Sequence, residues 1–238
     1  MILSRVTEHL RQQQWTAILL DFVIVVMGVF IGMQVSNWNA QRLEQAEQEQ
    51  IDHRLRSDFR ALDEALGDAL RKQESTILAL DTLRDAIQRG KALSGEDAAI
   101  KAAVVLGASY PSFMRKSATY TELLASGRLH LVRSDALRAA LAVYNERIDN
   151  SLYNIQQTRA IVTGNFIDFV RYTTFTLLEP GAVGIQSAVG YDIAAMARDD
   201  EFRRRLDTLI VVQTWIYSNL AGQRQAIDAV NDAMNTPE

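Results

Sequence analysis

The sequence contains no cysteine, and this absence excludes disulfides, thiolate metal sites, iron–sulfur clusters and thiol nucleophiles together. Only 3 of its 238 residues are proline, which is too few for a proline-rich linker. The formal net charge of −4 is too small to indicate a nucleic-acid-binding surface or a charged disordered tail, so no nucleic-acid partner is expected. Hydrophobic residues make up 48% of the chain, which is enough to bury the core of one domain or two.

One long hydrophobic run lies near the N-terminus. From Trp15 to Trp38 the chain reads WTAILLDFVIVVMGVFIGMQVSNW, with Asp21 as its one ionisable side chain. A helix of this length spans roughly 35 Å, enough to cross a hydrocarbon core of about 30 Å. Tryptophan is typical of membrane–water interfaces, so Trp15 and Trp38 are predicted to anchor a transmembrane helix over residues 15–38 in a lipid bilayer. Residues 1–14 are then a short cytoplasmic or interfacial N-terminus.

Two alternatives compete with a retained membrane anchor. A core helix of a soluble protein can be equally apolar, although core helices rarely carry such a run right at the N-terminus. A cleaved signal peptide fits poorly, because the run is long and Asp21 interrupts it. The nearest small-residue cleavage site would also end at Ala40, with the bulky Trp38 two residues before it. We therefore interpret the segment as an anchor.

The basic residues favour one orientation of this anchor. The amino terminus, Arg5 and Arg11 precede the segment, whereas only Arg42 follows it within about 15 residues. By the positive-inside rule, the N-terminus is expected in the cytoplasm and the C-terminal domain outside it.

One face of the apolar segment differs from the others, and we call it the polar stripe. It consists of Asp21, Val25, Gly28, Gly32 and Ser36, whereas the other faces carry mainly Leu, Ile, Val, Phe and Met. Gly28 and Gly32 form a GxxxG pair that lets two backbones approach closely, and an acid facing lipid is costly. The stripe is therefore predicted to contact protein, either a second copy of the chain or another membrane protein. The alternatives are that Asp21 reaches the headgroups or is protonated, and that the GxxxG spacing arose by chance.

Beyond Trp38 the hydrophobic pattern becomes periodic. Apolar residues recur at spacings of three and four from Ile51 to Leu70 and again from Ile77 to Ile87, which predicts a stalk and first bundle helix over residues 39–90. No glycine or proline interrupts the chain between Trp38 and Leu66, so this helix is expected to continue the membrane helix without a break.

Residues 91–238 are predicted to complete a helical extramembrane domain. Its helices are expected at about Glu96–Leu106, at Ala118–Ala125 with Gly127 as the C-cap, from the N-cap Ser134 to about Tyr172, and from Asp199 or Asp200 onward. Residues 178–191 are predicted to be a loop, and only Arg128–Val132 alternates like a strand. The fold class is therefore all-α, an antiparallel helical bundle behind one N-terminal transmembrane helix.

The sequence offers no recognisable catalytic constellation. His9, His53 and His130 lie in three different predicted elements and lack metal-ligand spacing. No glycine-rich phosphate loop follows a strand, and no G-x-S-x-G motif is present. We therefore expect no enzyme activity, no catalytic residue, no metal and no cofactor.

Two clusters in the C-terminal half could have a role in binding. Phe169, Arg171 and Tyr172 belong to an aromatic series that could line a ligand slot between helices, although aromatics at helical spacing are usually packed in the core. The basic run Arg203–Arg205 is surrounded by acidic residues, and we interpret it as a solvated, self-paired patch.

Two stretches of the chain resemble a known family. The opening MILSRVTEHLRQQQWTAILLDFVIVVMGVFIGMQVSNWN and the block TYTELLASGRLHLVRSDALRAALAVYN are similar to recurrent blocks of uncharacterised proteobacterial membrane proteins, classified as a domain of unknown function. The resemblance implies a single-pass protein of the bacterial inner membrane with a helical extramembrane domain. In the expected orientation that domain is periplasmic. The resemblance implies no activity, ligand or catalytic residue.

Two functions fit these observations. The first is a membrane-anchored structural or interaction protein that oligomerises or docks as an accessory subunit onto a membrane complex. The alternative is a periplasmic ligand-sensing helical bundle that signals through a separate partner. A polar cavity near Arg171 and Tyr172 would favour the second function.

Overall fold

A computed structural model describes the backbone of residues 3–110, 115–176 and 187–236. Within these ranges the side chains are described from residue 19 onward, except at 166, 187 and 189. The elements in chain order are α1 (Leu3–Arg89), α2 (Asp97–Leu106), α3 (Ala118–Ala125), a 3-10 turn (Leu129–Leu131), α4 (Asp135–Tyr172), β1 (Thr173–Thr176), β2 (Ser187–Tyr191), α5 (Ile193–Arg198) and α6 (Asp200–Asn235). The all-α fold class is confirmed.

The first helix, α1, begins at Leu3 and ends at Arg89, so the predicted continuation of the apolar segment into the first bundle helix is confirmed. It ends where Gly90 adopts φ +72°, a left-handed conformation that glycine accepts without steric cost. The chain divides into two compact units, Met1–Ile51 and Asp52–Glu238, and α1 contributes residues to both.

Local sequence signals set several of the other helix ends in the second unit. The side chain of Ser117 accepts a hydrogen bond from the backbone N–H of Tyr120 and starts α3. Ser134 starts α4 in the same way, as predicted. Gly127, with φ +68°, follows the last residues of α3, and the helix ends there in a Schellman motif as its sequence indicates. Asp199 caps α6 by accepting from two backbone N–H groups, which resolves the choice between Asp199 and Asp200.

Within the second unit, α1, α4 and α6 form the core of the bundle. Gln73 of α1 pairs with Gln213 of α6. Asp63 lies earlier on α1, and it pairs with Arg224, which lies later on α6. The two helices are therefore antiparallel. Tyr144 of α4 packs edge-to-face on Phe59 of α1, with ring centroids 5.0 Å apart. Burial raises the pKa of the Tyr144 hydroxyl, which donates a 2.7 Å hydrogen bond to a backbone carbonyl oxygen.

The structure corrects the prediction for the segment after α4. Residues 187–191, predicted to be loop, form the strand β2, which pairs antiparallel with β1. The pattern missed this hairpin because its strands are only 4 and 5 residues long and one of them is rich in small residues. A tertiary contact stabilises the hairpin, whose strand propensity is weak. Strand β2 lies beside α2, where the Tyr191 hydroxyl donates a 3.1 Å hydrogen bond to Asp97. The alternating stretch Arg128–Val132 contains the 3-10 turn and no strand.

Candidate functional site

The apolar segment of the first unit is exposed along its described length. Every Leu, Ile, Val, Met and Phe from residue 19 to residue 35 has between 42% and 65% of its surface exposed. The most apolar 18-residue window of this helix has a mean hydropathy of 2.1 and no buried residue, and the helix is long enough to cross a membrane. A core helix would be mostly buried, so the core-helix alternative does not fit this segment.

The polar stripe lies within this exposed segment. A Cβ atom built on Gly28 or Gly32 meets no described atom within 4 Å, so both backbones are open to a close neighbour. Asp21, Val25 and Ser36 are exposed as well. The contact role of the stripe stays a prediction.

The two predicted interface anchors are described to different extents. Trp38 is 64% exposed. The side chain of Trp15 lies outside the described residues.

The residues of the predicted ligand slot come together at the junction of α4 and α6. Phe169 is 1% exposed and packs edge-to-face on Phe202, with ring centroids 5.8 Å apart. Tyr172 also packs edge-to-face on Phe202, with ring centroids 5.2 Å apart. The three rings occupy the space between the helices, as the core-packing interpretation expects. The ligand role of Phe169, Arg171 and Tyr172 stays a prediction.

Charged groups connect this aromatic cluster to the start of α6. The Tyr172 hydroxyl donates a 2.6 Å hydrogen bond to Oδ2 of Asp199, and Nη1 of Arg171 lies 3.6 Å from the same oxygen. The hydrogen bond from Tyr172 is the largest cause that lowers the pKa of Asp199, followed by the backbone N–H of Phe202. Asp199 therefore acts as a helix cap and as the acceptor that fixes Tyr172.

The basic run Arg203–Arg205 is partly self-paired, as predicted. Arg203 pairs with Asp200 one turn earlier, and Arg205 pairs with Glu201 at 2.9 Å. Arg205 also reaches across to α4, where its Nη1 lies 2.8 Å from Asp168.

Arg203 and its neighbour Arg204 line a pocket of about 310 Å³ between α1 and α6, together with Arg84, Ile87, Gln88, Asp200, Leu206 and Asp207. Its lining combines guanidinium, carboxylate and amide groups with the apolar side chains of Ile87 and Leu206. This composition suits a small polar molecule rather than an apolar one. It shares no lining residue with the predicted ligand slot.

A buried polar network that the sequence interpretation missed crosses the middle of the bundle. Gln213 of α6 is fully buried, and its Nε2 donates to the carbonyl oxygens of Gly107 at 2.5 Å and Ser109 at 3.1 Å. Gln73 of α1 donates in turn to Oε1 of Gln213 at 2.7 Å. The signal was present, because Gln73 sits at core spacing between Leu70 and Leu80, and Gln213 interrupts the apolar run LIVVQTWI. Such polar core residues fix the register of packed helices.

Within the described residues, no group of three or more His, Asp or Glu side chains is arranged to hold a metal ion. The side chain of His9 lies outside the described residues, and His53 and His130 are on separate elements.

The model of a family described as a family of unknown function (DUF6090) matches residues 21–168, which is more than half of the chain. No curated protein and no solved structure shows significant similarity to the chain. The matched range begins inside the apolar segment and ends in α4, so it includes both the polar stripe and the whole of the second resembling block.

Proposed function

The chain belongs to the family of unknown function DUF6090, and from its geometry we propose that it is a membrane-anchored interaction protein. The apolar segment over residues 15–38 spans a lipid bilayer, and the helical bundle that starts at residue 52 lies in the aqueous phase. The observation that carries this proposal is the continuous exposure of large apolar side chains from residue 19 to residue 35. Soluble proteins rarely leave an apolar surface of this extent in water, whereas lipid covers it without any protein partner.

The proposed anchor crosses the inner membrane of a bacterium once. The support for its orientation is the excess of arginine on the N-terminal side, and the bundle is accordingly periplasmic. The anchor also joins the protein to a partner, because the polar stripe offers two glycines for close backbone contact and an acid that needs a polar neighbour. The partner is a second copy of the chain or another membrane protein.

Membrane fractionation and reporter fusions test the anchor and its orientation. The full chain should stay in the membrane fraction during carbonate extraction. A C-terminal alkaline phosphatase fusion should be active, and a reporter that works only in the cytoplasm should be silent at the same site. Extraction by carbonate, or a mature N-terminus close to residue 40, would contradict the anchor, and the reverse reporter pattern would contradict the orientation.

Crosslinking of stripe variants in membranes tests the contact. Gly28→Leu and Gly32→Leu should each weaken association several-fold, because the added side chain separates backbones whose contact contributes on the order of 1 kcal/mol. Val26→Leu is the matched control, since position 26 lies about 160° from Gly28 around the helix. Asp21→Asn should be milder than Asp21→Leu, because the amide keeps a hydrogen bond. Equal association of Gly32→Leu and Val26→Leu would show that the stripe is not an interface.

A second candidate function, ligand sensing by the bundle, rests on the pocket between α1 and α6. Its volume of about 310 Å³ and its mixed charged lining suit a small polar molecule. Screening of small polar metabolites by thermal unfolding tests this function, with Arg204→Gln as the pocket variant and the exposed Arg198→Gln as its control. A ligand that raises the melting temperature of the wild type and of Arg198→Gln, but not of Arg204→Gln, would favour sensing over a purely structural role.

A further inference from the structure

The contact between α4 and α6 contains a small cavity beside an unsatisfied buried amide. Gln223 of α6 is 1% exposed, and its Nε2 donates a 3.1 Å hydrogen bond to the hydroxyl oxygen of Ser151 on α4. Its Oε1 is buried and accepts no hydrogen bond from any part of the chain that the structure describes. Buried amide oxygens almost always have a partner, so this atom requires an explanation.

Exchanging the two amide atoms of Gln223 does not remove the need for a partner. The Ser151 hydroxyl has one proton, which it donates to the backbone carbonyl oxygen of Arg147 at 2.9 Å. If Oε1 faced Ser151 and took that proton, Nε2 would become the atom without a partner. In both orientations the side chain lacks one hydrogen-bonding neighbour.

A small cavity adjoins both Gln223 and Ser151. Its volume is about 10 Å³, and it is lined by Ser151, Ile155, Trp215, Ile216, Asn219, Leu220 and Gln223. This volume is about that of a single water-sized probe, so it is too small for an organic molecule.

We propose that this cavity is a specific binding site for one internal water molecule, hydrogen-bonded to the side-chain amide of Gln223 across the α4–α6 contact. An internal water needs two or more polar partners, and the site offers them. The Ser151 oxygen has a spare lone pair. Asn219 uses one N–H to donate to the carbonyl oxygen of Trp215 at 2.9 Å, which leaves its second N–H free for the water. The water supplies the bond that the chain itself does not make, and the apolar walls keep it in one place.

A structure of the full chain in detergent at about 1.8 Å resolution tests the proposal directly. We expect an isolated density peak within hydrogen-bond distance of the Gln223 amide, bounded by Ser151 and Asn219. Three results would overturn the proposal: an empty cavity, a Gln223 side chain turned to a protein donor, or density too large for one water.

Two matched variants provide a second measurement. Gln223→Met has a similar volume without the amide, so the water should be lost and the emission of Trp215 should shift to shorter wavelength in a Trp15→Phe, Trp38→Phe background. Gln225→Met, at an exposed position on the same helix, should leave the bound water and the emission of Trp215 unchanged. If Gln223→Met keeps the water, or if both variants shift the emission equally, the amide does not hold it. The density in the wild-type structure tests the water site by itself, so the proposal can be refuted even if the Gln223→Met variant does not fold.

Discussion

Removal of Gln213 should destabilise the bundle more than removal of any exposed glutamine. Gln213→Ala takes the hydrogen-bond donor away from the carbonyl oxygens of Gly107 and Ser109 and the acceptor away from Gln73. Gln73 keeps a 3.0 Å bond to the backbone carbonyl oxygen at position 213, so the two orphaned carbonyls dominate the loss.

The magnitude follows from the burial of these groups. Each buried polar group left without a partner costs about 1–3 kcal/mol, and the missing side chain also leaves a cavity. Water that enters the cavity recovers part of this loss, so we expect Gln213→Ala to lower the free energy of unfolding by about 3–5 kcal/mol. A domain of this size is stable by about 5–15 kcal/mol, so this single change removes a large fraction of the total.

Urea unfolding of the full chain in detergent measures this loss. Trp215 lies two residues from Gln213, and with Trp15 and Trp38 replaced by Phe it is the one remaining tryptophan and reports on the bundle. With an m value of about 2 kcal/mol/M, the midpoint should fall by about 2 M. Gln225→Ala, exposed on the same helix, is the control and should change stability by less than about 0.5 kcal/mol.

A volume-conserving variant separates the hydrogen bonds from the cavity. Gln213→Leu fills the space but cannot donate to Gly107 or Ser109, so it should still lose about 2–4 kcal/mol. If both Gln213 variants resemble Gln225→Ala, the buried network does not stabilise the bundle and the reasoning is wrong.

Three further predictions concern pH and packing. Tyr144→Phe should lose about 1 kcal/mol at pH 7. Because burial raises the pKa of Tyr144, its contribution is complete below about pH 10 and is lost as the pH rises toward the folded value, so wild type and Tyr144→Phe should converge in alkaline unfolding experiments. The lowered pKa of Asp199 has the opposite effect on the pH dependence. Its contribution to stability is complete above about pH 4 and is lost as the pH falls through the pKa of the folded state, so Asp199→Ala should destabilise more at pH 7 than at pH 2. An equal loss of stability at both pH values would contradict the capping role. Gly107→Ala should cost about 1–3 kcal/mol in thermal unfolding, because its Cβ would clash with the backbone carbonyl oxygen of Ala103 and lie 2.6 Å from Leu80 Cδ2. Gly164→Ala has open space inside α4 and should stabilise by about 0.5–1 kcal/mol. The same sign for both variants would refute the packing argument.

The amino-acid sequence by itself determined the all-α class and most helix ends. Periodic apolar residues define a helix locally, and caps such as Ser134 and Gly127 act within one turn of the chain, so no distant contact is needed to locate them. The apolar segment is equally local, because the length and hydropathy of a continuous run do not depend on the rest of the fold. The orientation of the anchor and the partner of the polar stripe stay predictions.

Only the tertiary structure decided how distant positions meet. The hairpin of β1 and β2 forms where β2 lies beside α2. The sequence does not predict this contact, because both strands are short and their strand propensity is weak. Phe169 and Tyr172 were recognised as aromatic, but Phe202, which packs against both rings, comes from a helix about 30 residues further along the chain. Gln73 and Gln213 each appear as a polar interruption of an apolar pattern, and only helix packing brings the two amides within 2.7 Å of each other. Hydrogen bonding is directional and short-ranged, so the identity of a buried polar partner is settled by the register of the helices.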